Sequence, residues 1–250
     1  MNIAVLLAGG VDPAFRMDIP KQFVNVYNKP IIVYTMQKFQ SHPEVDAIMI
    51  ACLKGWENMV QAYAKQFRID KLRWVITGGV SGQDTSRLAA DELMHSCKED
   101  DIVIIHDAIR PLVSDEIISD SIRSCKRQGM GISAVTSMDN VMLTDDGICG
   151  LRSISRYAFR RIQTPQTYHL GDLQKYHKEA IEQGILNEND TNNMVSKLGQ
   201  KVYLSKGSDL NIKINTVEDV EMFKSLYNMG NSDRHKIFRQ SRSQYKSFCS

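Results

Sequence analysis

An α/β fold is predicted, with a mostly parallel sheet flanked by helices. Short, unbroken apolar runs recur along the chain, and stretches of helical period separate them. Strands that are apolar on both faces need cover on both faces, and alternation with helices supplies it. In sheets of this kind ligands bind beyond the carboxyl ends of the strands. The residues just after each strand are therefore the ones to read for chemistry.

The first strand is Ile3-Ala4-Val5-Leu6-Leu7, followed at once by Ala8-Gly9-Gly10. Further strands are expected at 45–51, 73–76, 102–105 and 131–135, with helices at 30–40, 55–67, 84–97 and 114–128. Ser86 to Cys97 places Leu88, Ala89 and Leu93 on one helical face. Ser114, ahead of Glu116-Ile117-Ile118 and after Pro111, reads as a helix start. The rhythm breaks over 136–163. Residues 138–143 and 148–154 read as two strands joined by the turn signal Asp145-Asp146-Gly147. A two-stranded ribbon is marginal alone, so it is either a surface hairpin or a protruding dimerisation arm. Residues 205–208 and 211–214 read as a loop and a short strand. From Asn231 the periodicity ends, and Arg234, Lys236, Arg239, Arg242 and Lys246 face one acid, Asp233. A disordered basic tail over 231–250 is expected.

Composition narrows the classes. The chain has 250 residues, 42% hydrophobic and 24% charged, with a net charge of +2. That charge gives no global argument for nucleic acid or a membrane surface. No apolar run approaches the ~18 residues of a membrane span, and no signal-peptide pattern opens the sequence. The five cysteines are scattered, without a CxxC pair, so a reduced, cytoplasmic setting is expected.

Four constellations carry chemistry. Gly9 and Gly10 follow a strand, and Lys21 comes eleven residues after Gly10. Glycines let backbone N–H groups approach phosphate oxygens, and a lysine adds a compact charge; a plain turn is the alternative. Gly78-Gly79 follows another strand and precedes Gln83, Asp84, Thr85 and Ser86 at a helix start. There Thr85 is either a cap or a group facing a nucleotide, and Gln83 is placed to read a base edge. His106-Asp107-Ala108-Ile109-Arg110-Pro111 sits at a strand's carboxyl end, where Asp107 suits a metal–triphosphate complex or a substrate hydroxyl. A structural Asp107–Arg110 pair is the alternative. Gln163-Thr164-Pro165-Gln166-Thr167 reads as an exposed polar turn after Arg152, Arg156, Arg160 and Arg161. Lys213, between Ile212 and Ile214, points opposite to both. Two glycine turns, a strand-end carboxylate and separated cations suit a nucleoside triphosphate plus a second phosphorylated molecule. Such chemistry needs positioning and charge neutralisation, not a protein nucleophile.

With LLAGG, PKQF, Gly78-Gly79, HDAIRP, QTPQTY and NIKINTVEDV in order, the chain resembles the cytidylyltransferases that join CTP to a sugar-alcohol phosphate. These act on 2-C-methylerythritol 4-phosphate or ribitol 5-phosphate. The resemblance covers 1–227. It implies a Rossmann-like nucleotidyltransferase fold, a homodimer with swapped β-arms (136–160 here), and Mg²⁺. It assigns Ala8, Gly9, Gly10, Gly79, Gln83, Thr85, Asp107 and Ala108 to the nucleotide. Asp107, Asn140, Arg156, Thr164 and Lys213 fall to the acceptor, Arg156 across the dimer. Lys21 and Lys213 become catalytic, and Asp107 the candidate metal ligand. PKQF and QTPQTY favour ribitol 5-phosphate as the acceptor, with methylerythritol phosphate as the alternative.

The opening loop departs from the family pattern. Asp12 stands in place of a glycine and Ala14 in place of an arginine. Arg16 is expected to supply the missing cation. A catalytically weak nucleotide-binding or scaffolding relative is the reading of a different class.

Overall fold

The computed structural model describes residues 1–10 and 19–231. Asp12, Ala14, Arg16 and the basic segment from 232 onward therefore lie outside the described residues. Seven strands form the central sheet in the order β11-β7-β10-β6-β1-β4-β5. They are β1 (Asn2–Ala8), β4 (Ala47–Cys52), β5 (Leu72–Thr77), β6 (Ile102–Asp107), β7 (Met130–Thr136), β10 (Arg160–His169) and β11 (Leu204–Lys206). β1 pairs in parallel with β4 and β6, and β4 with β5; β10 runs antiparallel to both β6 and β7. The strands predicted at 3–7, 45–51, 73–76, 102–105 and 131–135 are present, within two residues at their ends.

Helices α1 (Ile31–Ser41), α2 (Glu57–Gln66) and α4 (Asp115–Gln128) cover one face. On the other lie α3 (Gly82–Met94), α5 (Leu170–Glu182) and α6 (Thr191–Lys197). Successive strand residues serve opposite faces. Ala4, Leu6, Ile48, Ile50 and Ile104 join the first core, while Ile3, Val5, Met49, Val103 and Ile105 join the second. Caps fix the helix starts: Ser81, Ser114 and Asp190 accept from the N–H of Asp84, Ile117 and Asn193. Ser114 is thus the cap its sequence context predicted. A third cluster of Val26, Ile31, Tyr34, Ile109, Ile214, Val220 and Phe223 packs α7 (Val217–Asn231) against the strand ends.

Three expectations need correction. Gln163–Thr167 is no exposed turn: it lies inside β10 and is buried throughout, with a cis Thr164–Pro165 bond at an irregularity in the β10–β7 register. Residues 211–214 form no strand; β11 at 204–206 takes the sheet edge beside β7. Within the ribbon, β8 (Val141–Leu143) and β9 (Arg152–Ile154) pair antiparallel over only three residues each. β2 (Asn25–Val26) and β3 (Lys29–Pro30) form a small hairpin ahead of α1.

Candidate active site

The ends of β1 and β6 and the N-terminus of α3 enclose a cleft of about 580 Å³. Ala8, Gly9, Gly10, Lys21, Gly79, Thr85, Asp107 and Lys213 all line it, as the sequence predicts. A larger recess of about 940 Å³ lies between α3 and α5. It gathers neither glycine turn nor the strand-end carboxylate, and Arg87 on its wall is already paired with Asp91. The chemistry belongs to the cleft at the strand ends.

Several cleft residues are held from behind. The Gln22 side chain donates to Ala8 O at 2.7 Å, tying the Lys21–Phe23 turn to the end of β1. Lys21 is 7% exposed, and its Nζ donates to Asn215 Oδ1 at 2.9 Å. Gly78 N–H donates to Cys52 O, and Gly79 N–H donates to Thr85 Oγ1 at 3.0 Å. Thr85 in turn donates to Ser81 O at 2.8 Å. Its hydroxyl closes the second glycine turn as well as facing the cleft.

Asp107 is the electrostatic centre. Arg110 Nε approaches Oδ2 at 2.9 Å and Lys213 Nζ approaches Oδ1 at 3.1 Å. Burial alone would raise its pKa, but Lys213 and Arg110 outweigh that and hold the carboxyl well below the usual range. Asp107 is paired with Arg110, as the structural alternative has it, and it also lines the cleft. His106 beneath it is fully buried and pushed down to about 4 by desolvation. As neutral imidazole it donates from Nε2 to Arg110 O at 3.2 Å and accepts the Thr164 hydroxyl at Nδ1 at 3.0 Å. Thr164 Oγ1 also accepts from Asp107 N–H at 3.1 Å. This chain of bonds fixes the end of β6.

Other predicted residues are placed differently. Gln83 is buried behind the turn: its side-chain nitrogen donates to Ile185 O and its oxygen accepts from Glu188 N–H. It lines no part of the cleft and instead pins the 185–188 loop. Ala108 is fully buried, with its N–H on Leu7 O and its carbonyl held by Thr35; Ile109 takes its place on the cleft wall. Thr164 lines a smaller adjoining recess of about 120 Å³ that shares Asp107 and Lys213 with the cleft. Asn140 and Arg156 lie on the exposed ribbon, where Arg156 donates to Met138 O at 3.4 Å. Sequence reasoning missed Asn189, which lines both cavities just before the α6 cap Asp190. Its signal was the polar run Asn189-Asp190-Thr191 ahead of a helix.

Asp107 is the only carboxylate on the cleft wall among the described residues, and they contain no group of three or more metal-ligating side chains. The donor set fits a cation that arrives with phosphate ligands of its own and takes one carboxylate from the protein. It does not form a cage.

A glycine-lined cleft with two lysines around a strand-end carboxylate, on an open α/β sheet, defines a phosphate-handling protein of the nucleotide-binding α/β class. Comparison with known proteins gives the family. The family model described as IspD, 2-C-methyl-D-erythritol 4-phosphate cytidylyltransferase, matches residues 2–227, and the chain belongs to this family. A ribitol-5-phosphate cytidylyltransferase of Lacticaseibacillus paracasei is 39% identical over 227 residues, spanning 90% of this chain and 97% of that one. A 2-C-methyl-D-erythritol 4-phosphate cytidylyltransferase of Clostridium novyi is 32% identical, over 90% of this chain and 96% of its own. Among solved structures, the Francisella tularensis 2-C-methyl-D-erythritol 4-phosphate cytidylyltransferase superposes with a TM-score of 0.74 at 27% identity, covering 90% of this chain and all of that one.

Proposed function

We propose that this cytidylyltransferase transfers CMP from CTP to ribitol 5-phosphate, giving CDP-ribitol and pyrophosphate. The carrying observation is the convergence of Gly9, Gly10, Lys21, Asp107 and Lys213 on one cleft. The acceptor reading is supported by relatives named for ribitol 5-phosphate at 39%, 34% and 32% identity. Methylerythritol phosphate is the second reading, on the strength of the family description and the Clostridium novyi relative.

The triphosphate lies along the glycine turn, where backbone N–H groups accommodate its oxygens. Lys21 neutralises charge that builds on the α-phosphate and the departing pyrophosphate. Lys213, held by Asp107, orients the acceptor. An acceptor phosphate oxygen forms a new bond to the α-phosphorus as the bond to the β-phosphate bridging oxygen breaks. Nothing in this step calls for a covalent enzyme intermediate. Mg²⁺ is the proposed cofactor: Asp107 would hold it, and bound there it would add charge neutralisation on the phosphates. Arg16 is the proposed substitute for the arginine missing at position 14.

The ribbon at 136–160 is proposed as a dimerisation arm. Met138, Met142, Ile148, Leu151 and Tyr157 are each more than half exposed on it, which favours cover by a second copy. Arg156 and Asn140 would then complete the acceptor site of the partner. No helix among the described residues is long and apolar enough to cross a membrane, and a cytoplasmic setting is the proposal.

Pyrophosphate release with CTP and Mg²⁺ tests the reading. The expected result is release with ribitol 5-phosphate at least tenfold faster than with methylerythritol phosphate, lost in Arg16→Ala. The reverse preference selects the second acceptor. CTP binding with no release on either acceptor leaves the weak nucleotide-binding relative as the correct reading.

A further inference from the structure

The segment Asn211–Asn215 has no regular secondary structure and lines the cleft with Lys213, yet it is anchored at three points. Asn211 is fully buried, and its side chain donates to Thr164 O at 2.8 Å. Its carbonyl accepts from Arg110 at 2.8 Å. Ile214 is fully buried in the third core cluster, with its N–H on Ile109 O at 3.0 Å. Asn215 N–H and Thr216 N–H both donate to Asp219 Oδ2, at 2.8 and 2.9 Å, which locks the strap to the first turn of α7. Lys213 and Asn215, two residues apart, reach the two ends of the cleft's charge system: Lys213 meets Asp107, and Asn215 Oδ1 accepts from Lys21 Nζ.

We propose that Asn215 is a positioning residue for Lys21, so that one anchored strap sets the placement of both cleft lysines. The claim rests on reading the cleft as the CTP site. A lysine carries its charge on a flexible four-carbon stem. The Asn215 amide oxygen restrains that ammonium at 2.9 Å without itself bringing a negative charge. A carboxylate at the same point would bring one, as Asp107 does beside Lys213. The strap thus carries one cleft lysine itself, Lys213, and the amide that holds the other.

A double-mutant cycle on CTP affinity tests this, using calorimetry on the wild type, Asn215→Ala, Lys21→Ala and the double variant. Asn215→Ala is expected to weaken CTP about tenfold in the wild-type background and less than twofold when Lys21 is already alanine. Asn215→Leu, which keeps the volume and removes the acceptor, is expected to behave as Asn215→Ala, and thermal melts establish that each variant is folded. An equal loss in both backgrounds overturns the proposal and makes Asn215 a scaffold residue. No loss in the wild-type background overturns it as well. A wild type that binds CTP but releases no pyrophosphate refutes the proposed transfer while the cycle still decides Asn215. A wild type that binds no CTP overturns both.

Discussion

Gly9 and Gly10 end β1, Gly79 and Gly82 open α3, and the two pairs face each other across one cleft, but a methyl group added to each meets different surroundings. Among the described residues, a Cβ at Gly10 meets nothing within 4 Å, and one at Gly9 finds only ordinary contacts at 4.0 Å with Gly78 and Thr85. A Cβ at Gly79 would overlap the Asp84 side chain, which is itself held by Val80 N–H and Arg87. At Gly82 it would overlap the Asn189 carbonyl, part of the backbone. The second turn is glycine because the protein packs against it. Among the described residues the first has room for a side chain, and the group proposed to need that space is the nucleotide. The same residue type thus meets a fold constraint on one wall and, on the proposed reading, leaves an approach path on the other.

Lost stability on the packed wall should give the largest effect. Gly82→Ala must displace the 189 loop, and overpacking of this kind costs roughly 1–3 kcal/mol. Thermal denaturation should show a clear drop in Tm, with CTP binding and pyrophosphate release falling together. An unchanged Tm would remove the distinction between the walls.

Gly10→Ala should do the opposite. Tm is expected to stay within experimental error while CTP affinity drops about tenfold, the effect of one methyl group keeping a phosphate from the backbone N–H groups (~1.4 kcal/mol is tenfold). Calorimetry beside a melt reads both. Intact affinity would mean that the triphosphate does not follow this turn.

The smallest effect concerns pH, and it sharpens what backs each wall. His177 on α5 bonds Ser86 of α3 at 2.9 Å, and His106 lies within β6; burial pushes each down to about 4. Both imidazoles are neutral when folded, whereas the unfolded chain protonates them below pH 6.5. The unfolded state therefore binds more protons, and stability falls as pH drops from 6.5 toward 4. Melts across that range should show the decline, and His177→Gln should flatten it. An unaltered slope in that variant would exclude His177 as a source.

Much of the cleft was legible from the chain. Gly9, Gly10, Gly79 and Asp107 stand at or just after strand ends, where strand periodicity carries them to the cleft, whereas Lys21 enters from a short turn and Lys213 from an irregular segment. Gln83 was not legible. A glutamine in the first turn of a helix looks the same whether it faces a ligand or, as here, bonds Ile185 and Glu188 a hundred residues away. Thr164 misled for a similar reason. Polar residues around a proline resemble a surface turn, whereas β10 runs buried between β6 and β7. Asn215 gave no signal, because its meaning lies in a contact with Lys21 across 194 positions.

Taken alone, the chain determined its strands and helices, the two glycine turns, the strand-end carboxylate and the family pattern. These follow from local periodicity and residue type, which neighbouring positions carry among themselves. Tertiary structure decided which polar groups face the cleft and which are committed to holding it. Hydrogen-bond partners for Gln83, Thr164, Asn211 and Asn215 come from distant segments, and only chain packing brings those atoms within 3 Å or so of one another.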